Sequence, residues 1–280
     1  MTVVTAPARL ASLPPGHYGL LGALRSEWTK LRSVRSTVWS LAATIVAVIG
    51  IGILASAATA ARWRSGHFED RLFFDPTSVS LTGYFVGQLA LGVLGVLTIS
   101  AEYGTGAIRS TFAAIPHRPL VLAAKAILFG TVALVVAEVV SFAAFFIGQA
   151  LLSGSAPTAT LSQPGVVRAV AGGGLYLTVL GLLALGIGSI VRHTAGAITT
   201  FVALLLILPL VIAAFPASIG HPIGKYLPLV IGNSMTATTP RGAHADFLPG
   251  FAPWTGFGLL CAYAAAALLA GAVIMVRRDP

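Results

Sequence analysis

Long apolar segments alternate with short clusters of charge along this chain of 280 residues. A helix that crosses a bilayer needs about 20 predominantly apolar residues, whereas the strands of a membrane barrel are about ten residues long and alternate polar with apolar side chains. The segments are too long and too uniformly apolar for barrel strands. The pattern therefore predicts an all-α integral membrane protein with six transmembrane helices, at about 38–60, 79–100, 126–152, 169–191, 195–217 and 254–276.

Composition excludes a water-soluble enzyme. Hydrophobic residues make up 56% of the chain and charged residues 9%, and the mean hydropathy is +0.91. An average soluble domain carries about 25% charged residues, so this chain lacks the polar surface that a compact body in water requires. The single cysteine, Cys261, permits no intrachain disulfide.

Two segments precede the first predicted span. Residues 1–19 contain Pro14, Pro15 and Gly16, which break any helix, and we expect a mobile cytoplasmic tail. Residues 20–36 predict an interfacial amphipathic helix, which either anchors the chain in lipid or also acts as a lever on a cytoplasmic partner. Its apolar residues recur at helical spacing and its cations lie on the remaining surface: Leu20, Leu24, Trp28 and Leu31 against Arg25, Lys30, Arg32 and Arg35.

The positive surplus is explained by topology. There are 17 Lys and Arg residues against 8 Asp and Glu residues, which gives a net charge of +9. Such an excess of positive charge is also found in proteins that bind nucleic acid. An intracellular N-terminus places 11 of the 17 cations on the cytoplasmic side, as the positive-inside rule requires. We therefore predict cytoplasmic termini and lipid rather than nucleic acid as the partner of these charges.

The second cytoplasmic loop, residues 101–125, has the pattern of a structured docking element. Gly104 and Gly106 interrupt the preceding helix, a short helix is predicted at about 107–114, and Pro116 and Pro119 end it. Its cations, Arg109, His117 and Arg118, are expected to face the cytoplasm. The alternative is a basic tether that fixes topology and binds no partner.

Two segments carry a family resemblance. RSEWTKLRSVRSTVWSL at 25–41 and ISAEYGTGAIRSTFAAIPHRPLVLAAK at 99–125 resemble the permease subunits of bacterial ABC-2 type transporters. The matching positions in the loop are Glu102, Tyr103, Gly106, Arg109, Thr111, Pro116, Arg118 and Lys125.

The resemblance implies a function and an assembly. Residues 37–280 would form a six-span permease domain in the bacterial cytoplasmic membrane, paired with a second permease copy or paralogue. The 101–125 loop would couple it to a separate ABC ATPase subunit. ATP and Mg would be bound by that subunit.

The chain itself shows no catalytic or metal motif. The segment 220–226, GHPIGKY, imitates a phosphate-binding loop but is one residue short and has Tyr226 where a hydroxyl ligand to magnesium is needed. Nucleophile and metalloprotease motifs are missing, and the six histidines are scattered without ligand spacing. The sequence therefore predicts neither an enzyme nor a metal site.

Glu138 is the one charge inside a predicted span. It could contact a substrate, carry a proton, or link helices through a hydrogen bond in its protonated form. Two rival functions stay open, an ion-coupled secondary transporter that uses Glu138 and a non-transporting scaffold or sensor. The sequence does not decide whether the stretch 226–231 re-enters the membrane or forms an ordinary surface loop. The apolar spans indicate no particular substrate.

Overall fold

The computed structural model describes residues 19–65, 74–115, 117–238 and 250–278. The predicted tail at 1–19 lies outside the described residues except for Gly19. Pro116, one of the predicted loop residues, also lies outside them. Within the described ranges every regular element is helical, which confirms the all-α fold. In chain order these are α1 (Leu20–Ser33), α2 (Arg35–Arg64), α3 (Pro76–Ser80), α4 (Tyr84–Thr105), α5 (Ala107–Ala114), α6 (Arg118–Leu152), α7 (Val166–Val191), α8 (Thr194–Val202), a π-helical turn (Ala203–Ile207), α9 (Leu208–Ala213), α10 (Ala217–Gly224), α11 (Pro228–Thr236) and α12 (Pro253–Arg278).

Six helical segments are long and apolar enough to cross a membrane. They are α2, α4, α6, α7, α12 and the continuous stretch from α8 to α9. The six predicted spans are thereby confirmed, and the chain is a multi-pass membrane protein.

The connection between the second and third spans is shorter than predicted. α4 continues to Thr105, and Gly106 ends it in the left-handed conformation at φ 75°, which glycine adopts without strain. α6 begins at Arg118 rather than at about 126, because Pro119 can occupy its first turn, where a missing N–H costs no hydrogen bond. Lys125, predicted to lie in the loop, is therefore inside α6.

The second span also starts later than predicted. α3 forms first, and the Asp75 carboxylate caps it by accepting hydrogen bonds from the backbone N–H groups of Thr77 at 3.0 Å and Ser78 at 3.1 Å. Asp75 also accepts from the N–H of Thr238 at 2.7 Å. Burial raises the pKa of Asp75, but the hydrogen bonds from Thr238 and Ser78 outweigh it and hold the pKa below the ordinary value of 3.8.

The fifth span is segmented. Its π-helical turn is followed by α9, whose second residue, Pro209, cannot donate a backbone hydrogen bond. The helical path ends at Ala213, so the fifth span ends about one turn before the predicted 217.

α7 is the central helix of the bundle. In its most apolar stretch 78% of the residues are buried, compared with 22% in α2 and in α12. Glycines allow the close approach, since a Cβ on Gly95 of α4 would overlap the carbonyl oxygen of Gly181 in α7. On another side of α7, a Cβ on Gly186 would lie 2.6 Å from the Cβ of Ala267 in α12.

The chain between the fifth and sixth spans folds into the bundle. α11 packs against α7 and α12, and Leu229, Val230 and Ile231 are buried. The Arg168 guanidinium donates to the carbonyl oxygens of Met235 at 2.8 Å and of Ala237 at 2.9 Å. These carbonyls lie at the C-terminal end of α11, where backbone carbonyls have no partner within the helix. The stretch 226–231 is therefore not an ordinary surface loop.

Candidate functional site

Four charged side chains from three helices meet at one end of the bundle. Glu27 and Lys30 come from α1, Glu102 from the last turn of α4, and Lys125 from α6; we call these four residues the charge cluster. The Lys125 ammonium lies 2.6 Å from a carboxylate oxygen of Glu27 and 2.6 Å from one of Glu102. The Lys30 ammonium lies 2.8 Å from Glu27 and 3.0 Å from Glu102. Each cation therefore contacts both carboxylates in a closed ring.

Thr111 connects the charge cluster to α5. Its hydroxyl accepts a hydrogen bond from the Lys30 ammonium at 3.0 Å and lies 3.4 Å from the second carboxylate oxygen of Glu102. Both Thr111 and Ile108 are buried on the inner face of α5. The short helix between the second and third spans is thus held by the same groups that join α1, α4 and α6.

The charge cluster is largely shielded from solvent. The side chain of Lys125 is 2% exposed, that of Glu27 5% and that of Glu102 15%, while Lys30 keeps 35%. Removing charges from water is costly, and short charge-assisted hydrogen bonds with balanced charge offset the cost. Burial lowers the pKa of Lys30, but the hydrogen bond and charge of Glu27, with the charge of Glu102, outweigh it and raise the pKa above its ordinary value of 10.5.

One face of α1, which carries Ala23, Glu27 and Lys30, packs against the protein. Glu27 and Lys30 are three residues apart and so lie on one helix face, and Ala23 and Glu27 are buried on it. The apolar side chains Leu21 and Trp28 are 74% and 48% exposed. This arrangement suits a helix whose outer surface meets lipid.

The prediction for the cations of α1 needs one correction. Arg25, Arg32 and Arg35 are exposed as expected, whereas Lys30 points inward because two carboxylates, Glu27 and Glu102, bind it. Sequence analysis did not single out Glu27. The sequence does hold one clue to its role: Glu27 is the one acidic residue among the cations of 25–35, and it lies three residues before Lys30.

A cleft adjoins the charge cluster. Its polar side is formed by the cluster itself, and the hydroxyl groups of Ser36, Thr37 and Thr98 line it as well. Its apolar side is formed by leucines of α1, α4 and α6, namely Leu31, Leu94, Leu97 and Leu128. One end of the bundle therefore carries a cleft that is lined by both charged and apolar side chains.

The predicted loop residues divide into an inner and an outer group. Glu102 and Thr111 belong to the inner group, and Tyr103 is half-buried with the Arg192 guanidinium 5.1 Å from its ring centre. Arg109 is exposed on the outer side of α5, as predicted. Gly106 makes the turn between α4 and α5.

Arg118 is not free to face solvent as expected. It is half-buried, and its guanidinium donates to the carbonyl oxygen of Met275 at 3.1 Å and lies 5.4 Å from the ring centre of Phe112. Met275 lies in the last turn of α12, where a cation interacts favourably with the unpaired carbonyls. Arg118 therefore joins the start of α6 to the end of α12, which also places the two ends of the described chain at the same end of the bundle.

Glu138 lies apart from the charge cluster, in the middle of α6. It is half-buried, and its carboxyl group lies against Gly174 of α7, where an added Cβ would come within 2.6 Å of Cδ. Within the described ranges it has neither a hydrogen bond nor an ion pair. An ionised side chain at membrane depth costs about 2.5–3.5 kcal/mol on insertion scales. None of the residues that the structure describes forms a hydrogen bond or ion pair with Glu138 that would offset this cost.

Comparison with known proteins gives no match to this chain, neither among protein-family models nor among curated proteins. The class of protein is therefore defined by its own architecture. It is an all-helical, multi-pass membrane protein with a shielded charge cluster at one end of the bundle.

Proposed function

We propose that the chain is the permease subunit of an ABC-2 type, ATP-driven exporter in a bacterial cytoplasmic membrane. The segments 25–41 and 99–125 support the family, and the six spans support the architecture. The end that carries the charge cluster faces the cytoplasm in this proposal, because most cations of the chain fall at that end. Both termini are then cytoplasmic.

The observation that carries the proposal is the way in which α5 is attached to the helices of the bundle. This helix lies outside the spans, presents Arg109 outward, and is fixed on its inner face by Thr111. Through the charge cluster, Thr111 is connected to α1, α4 and α6. A force on α5 is therefore transmitted to three helices at once.

The proposed assembly contains two permease chains and two ATPase subunits. ATP and Mg bind to the ATPase subunits, and Arg109 contacts an acidic surface on one of them. A second permease copy or paralogue covers part of the apolar surface that α2, α12 and the fifth span leave exposed, since only 22%, 22% and 28% of their most apolar stretches are buried.

Coupling follows from this arrangement. Closure of the ATPase subunits on ATP pushes α5, and the charge cluster passes the displacement to α1, α4 and α6. The two permease halves then rock against each other, and a site between them changes from inward or lateral access to outward access. The cleft, lined by charged and apolar side chains, lies beside the helices that move, which is compatible with an amphipathic or hydrophobic cargo.

The test is co-expression with any ABC ATPase that proves to be encoded next to this gene. The two proteins should co-purify from detergent, and the permease should stimulate ATP hydrolysis. Arg109→Glu places like charges at the contact, which costs several kcal/mol, so stimulation should fall at least about tenfold. Arg25→Glu changes an exposed cation of α1 and is the matched control.

Arg118→Glu is expected to act differently, since Arg118 bonds within the chain. It should lower stability as well as coupling. Unchanged stimulation of the ATPase by the Arg109→Glu chain, with normal folding, would refute the coupling role, and failure to co-purify any ATPase would refute the family assignment.

A further inference from the structure

Glu138 lies deep in the apolar part of the bundle. It follows Lys125 of the charge cluster by 13 residues in α6, and at 1.5 Å per residue the two side chains are about 20 Å apart along the helix axis. The hydrocarbon core of a bilayer is about 30 Å thick. With the charge cluster at one interface, Glu138 therefore lies inside the hydrocarbon core, about 20 Å from that interface and about 10 Å from the opposite one.

Its position around the helix is at the boundary between the buried and the outer face of α6. Ala137 and Ser141 are buried, while Val135 and Val139 are 59% and 63% exposed on the outer side. The carboxyl group lies against the backbone of α7 at Gly174, in the space that a Cβ there would occupy. Glu138 is partly exposed, next to the exposed Val139 on the outer side of α6.

Tyr176 and Ser141, two other polar residues at membrane depth, have partners. The Tyr176 hydroxyl donates to the Gln88 side chain at 2.7 Å, and the Ser141 hydroxyl donates to the carbonyl oxygen of Val170 at 2.6 Å. In the part of the chain that the structure describes, Glu138 alone among the carboxylates of the spans has no such partner. An ionised carboxyl group there needs a positive charge from outside the described residues, and without one it takes up a proton.

We propose that Glu138 and Gly174 form a membrane-facing binding site for the cationic head of a hydrophobic molecule. The carboxylate supplies the charge, the absence of a side chain at Gly174 lets that carboxylate lie against α7, and Leu134, Val135 and Val139 provide apolar contact for the rest of the molecule. A compact organic cation with apolar substituents satisfies both requirements. This inference does not depend on an ATPase partner.

The test measures binding to the purified full-length chain in lipid nanodiscs, without any ATPase. The probe is tetraphenylphosphonium, and tetraphenylborate is the anion of matched size and hydrophobicity; empty nanodiscs correct for partition into lipid. We expect saturable binding of the cation only. Glu138→Gln should weaken it at least tenfold, and Glu138→Asp less.

Two further variants separate a local effect from a general one. Gly174→Ala should weaken binding, because the new Cβ would lie 2.6 Å from the Glu138 Cδ and displace the carboxyl group. Thr131→Val removes an exposed hydroxyl that bonds only to its own helix and should leave binding unchanged. Helix content by circular dichroism and elution volume check that each variant is folded.

Three outcomes overturn the proposal. They are wild-type affinity in Glu138→Gln, equal binding of the anion, and the absence of saturable cation binding to the wild type. The last result, together with a change in the pH dependence of proton uptake in Glu138→Gln, assigns the carboxyl group to a proton instead. None of these outcomes bears on the ATPase coupling of α5, which the Arg109 variant tests separately.

Discussion

Replacing Lys125 with methionine tests whether the charge cluster stabilises this end of the bundle. Lys125 is 2% exposed and contacts Glu27 and Glu102 at 2.6 Å each. Methionine has a similar length and keeps the apolar contacts of the side chain, but it removes the charge and the donors. Two carboxylates would then share the single ammonium of Lys30, leaving one negative charge uncompensated.

The magnitude follows from that imbalance. Removing one partner of a buried ion pair costs about 3–5 kcal/mol, because the other charge is left without compensation. At 1.36 kcal/mol per tenfold change, the folding equilibrium should shift by about two to three and a half orders of magnitude. The double variant Glu27→Gln with Lys125→Met restores charge balance with the remaining pair of Lys30 and Glu102. It should recover about 1–3 kcal/mol relative to the sum of the two single variants.

The assay is equilibrium unfolding in mixed micelles of detergent and SDS, followed by circular dichroism. Arg25→Met, which removes an exposed cation from α1, is the control and should stay within about 0.5 kcal/mol of the wild type. A loss of less than about 1 kcal/mol in Lys125→Met would show that the charge cluster is solvated or unpaired in the membrane protein. Additive effects of the two substitutions would refute the coupling between Glu27 and Lys125.

Two further predictions concern packing and pH. Gly95→Ala should lower the free energy of unfolding by about 1–3 kcal/mol through overpacking, since the new Cβ overlaps the carbonyl oxygen of Gly181, whereas Gly50→Ala, with no atom within 4 Å of the new Cβ, should be neutral or slightly stabilising in the same assay. Asp75 has a folded pKa below its ordinary value of 3.8 because the hydrogen bond from Thr238 outweighs burial, so its contribution is present at neutral pH and is lost as the pH falls through the folded pKa. Asp75→Asn should therefore cost about 0.5–2 kcal/mol at pH 7 and progressively less below pH 4; a cost that does not change with pH would contradict this.

Sequence patterns predicted those elements that depend on local chemistry. Six spans were predictable because each needs a continuous apolar segment of about 20 residues. The short helix α5 coincides with the predicted 107–114, since Gly106 before it and the prolines after it mark its ends. Local signals are weaker at the helix starts: Pro119 follows α5 closely enough to signal a helix end in the sequence, yet it lies in the first turn of α6.

The charge cluster could not be predicted in the same way. Glu27 and Lys125 are 98 positions apart, and Lys30 and Glu102 are 72 apart, so no spacing rule connects them. A lysine next to a predicted span was interpreted as a topology signal, because the positive-inside rule concerns the number of cations and not their partners. The same ambiguity applied to Arg118, which binds the end of α12. Tertiary packing decided in each case which cation is buried.

This division of the cations gives the proposed coupling a physical basis. Arg109 is exposed and makes no hydrogen bond or ion pair with the described residues, so its substitution should change contact with a partner and leave the free energy of unfolding nearly unchanged. Lys125 is buried in the charge cluster, so its substitution should change both. A variant that lowers ATPase stimulation at constant stability therefore locates the contact surface, whereas one that lowers both identifies the internal connection from α5 to the spans.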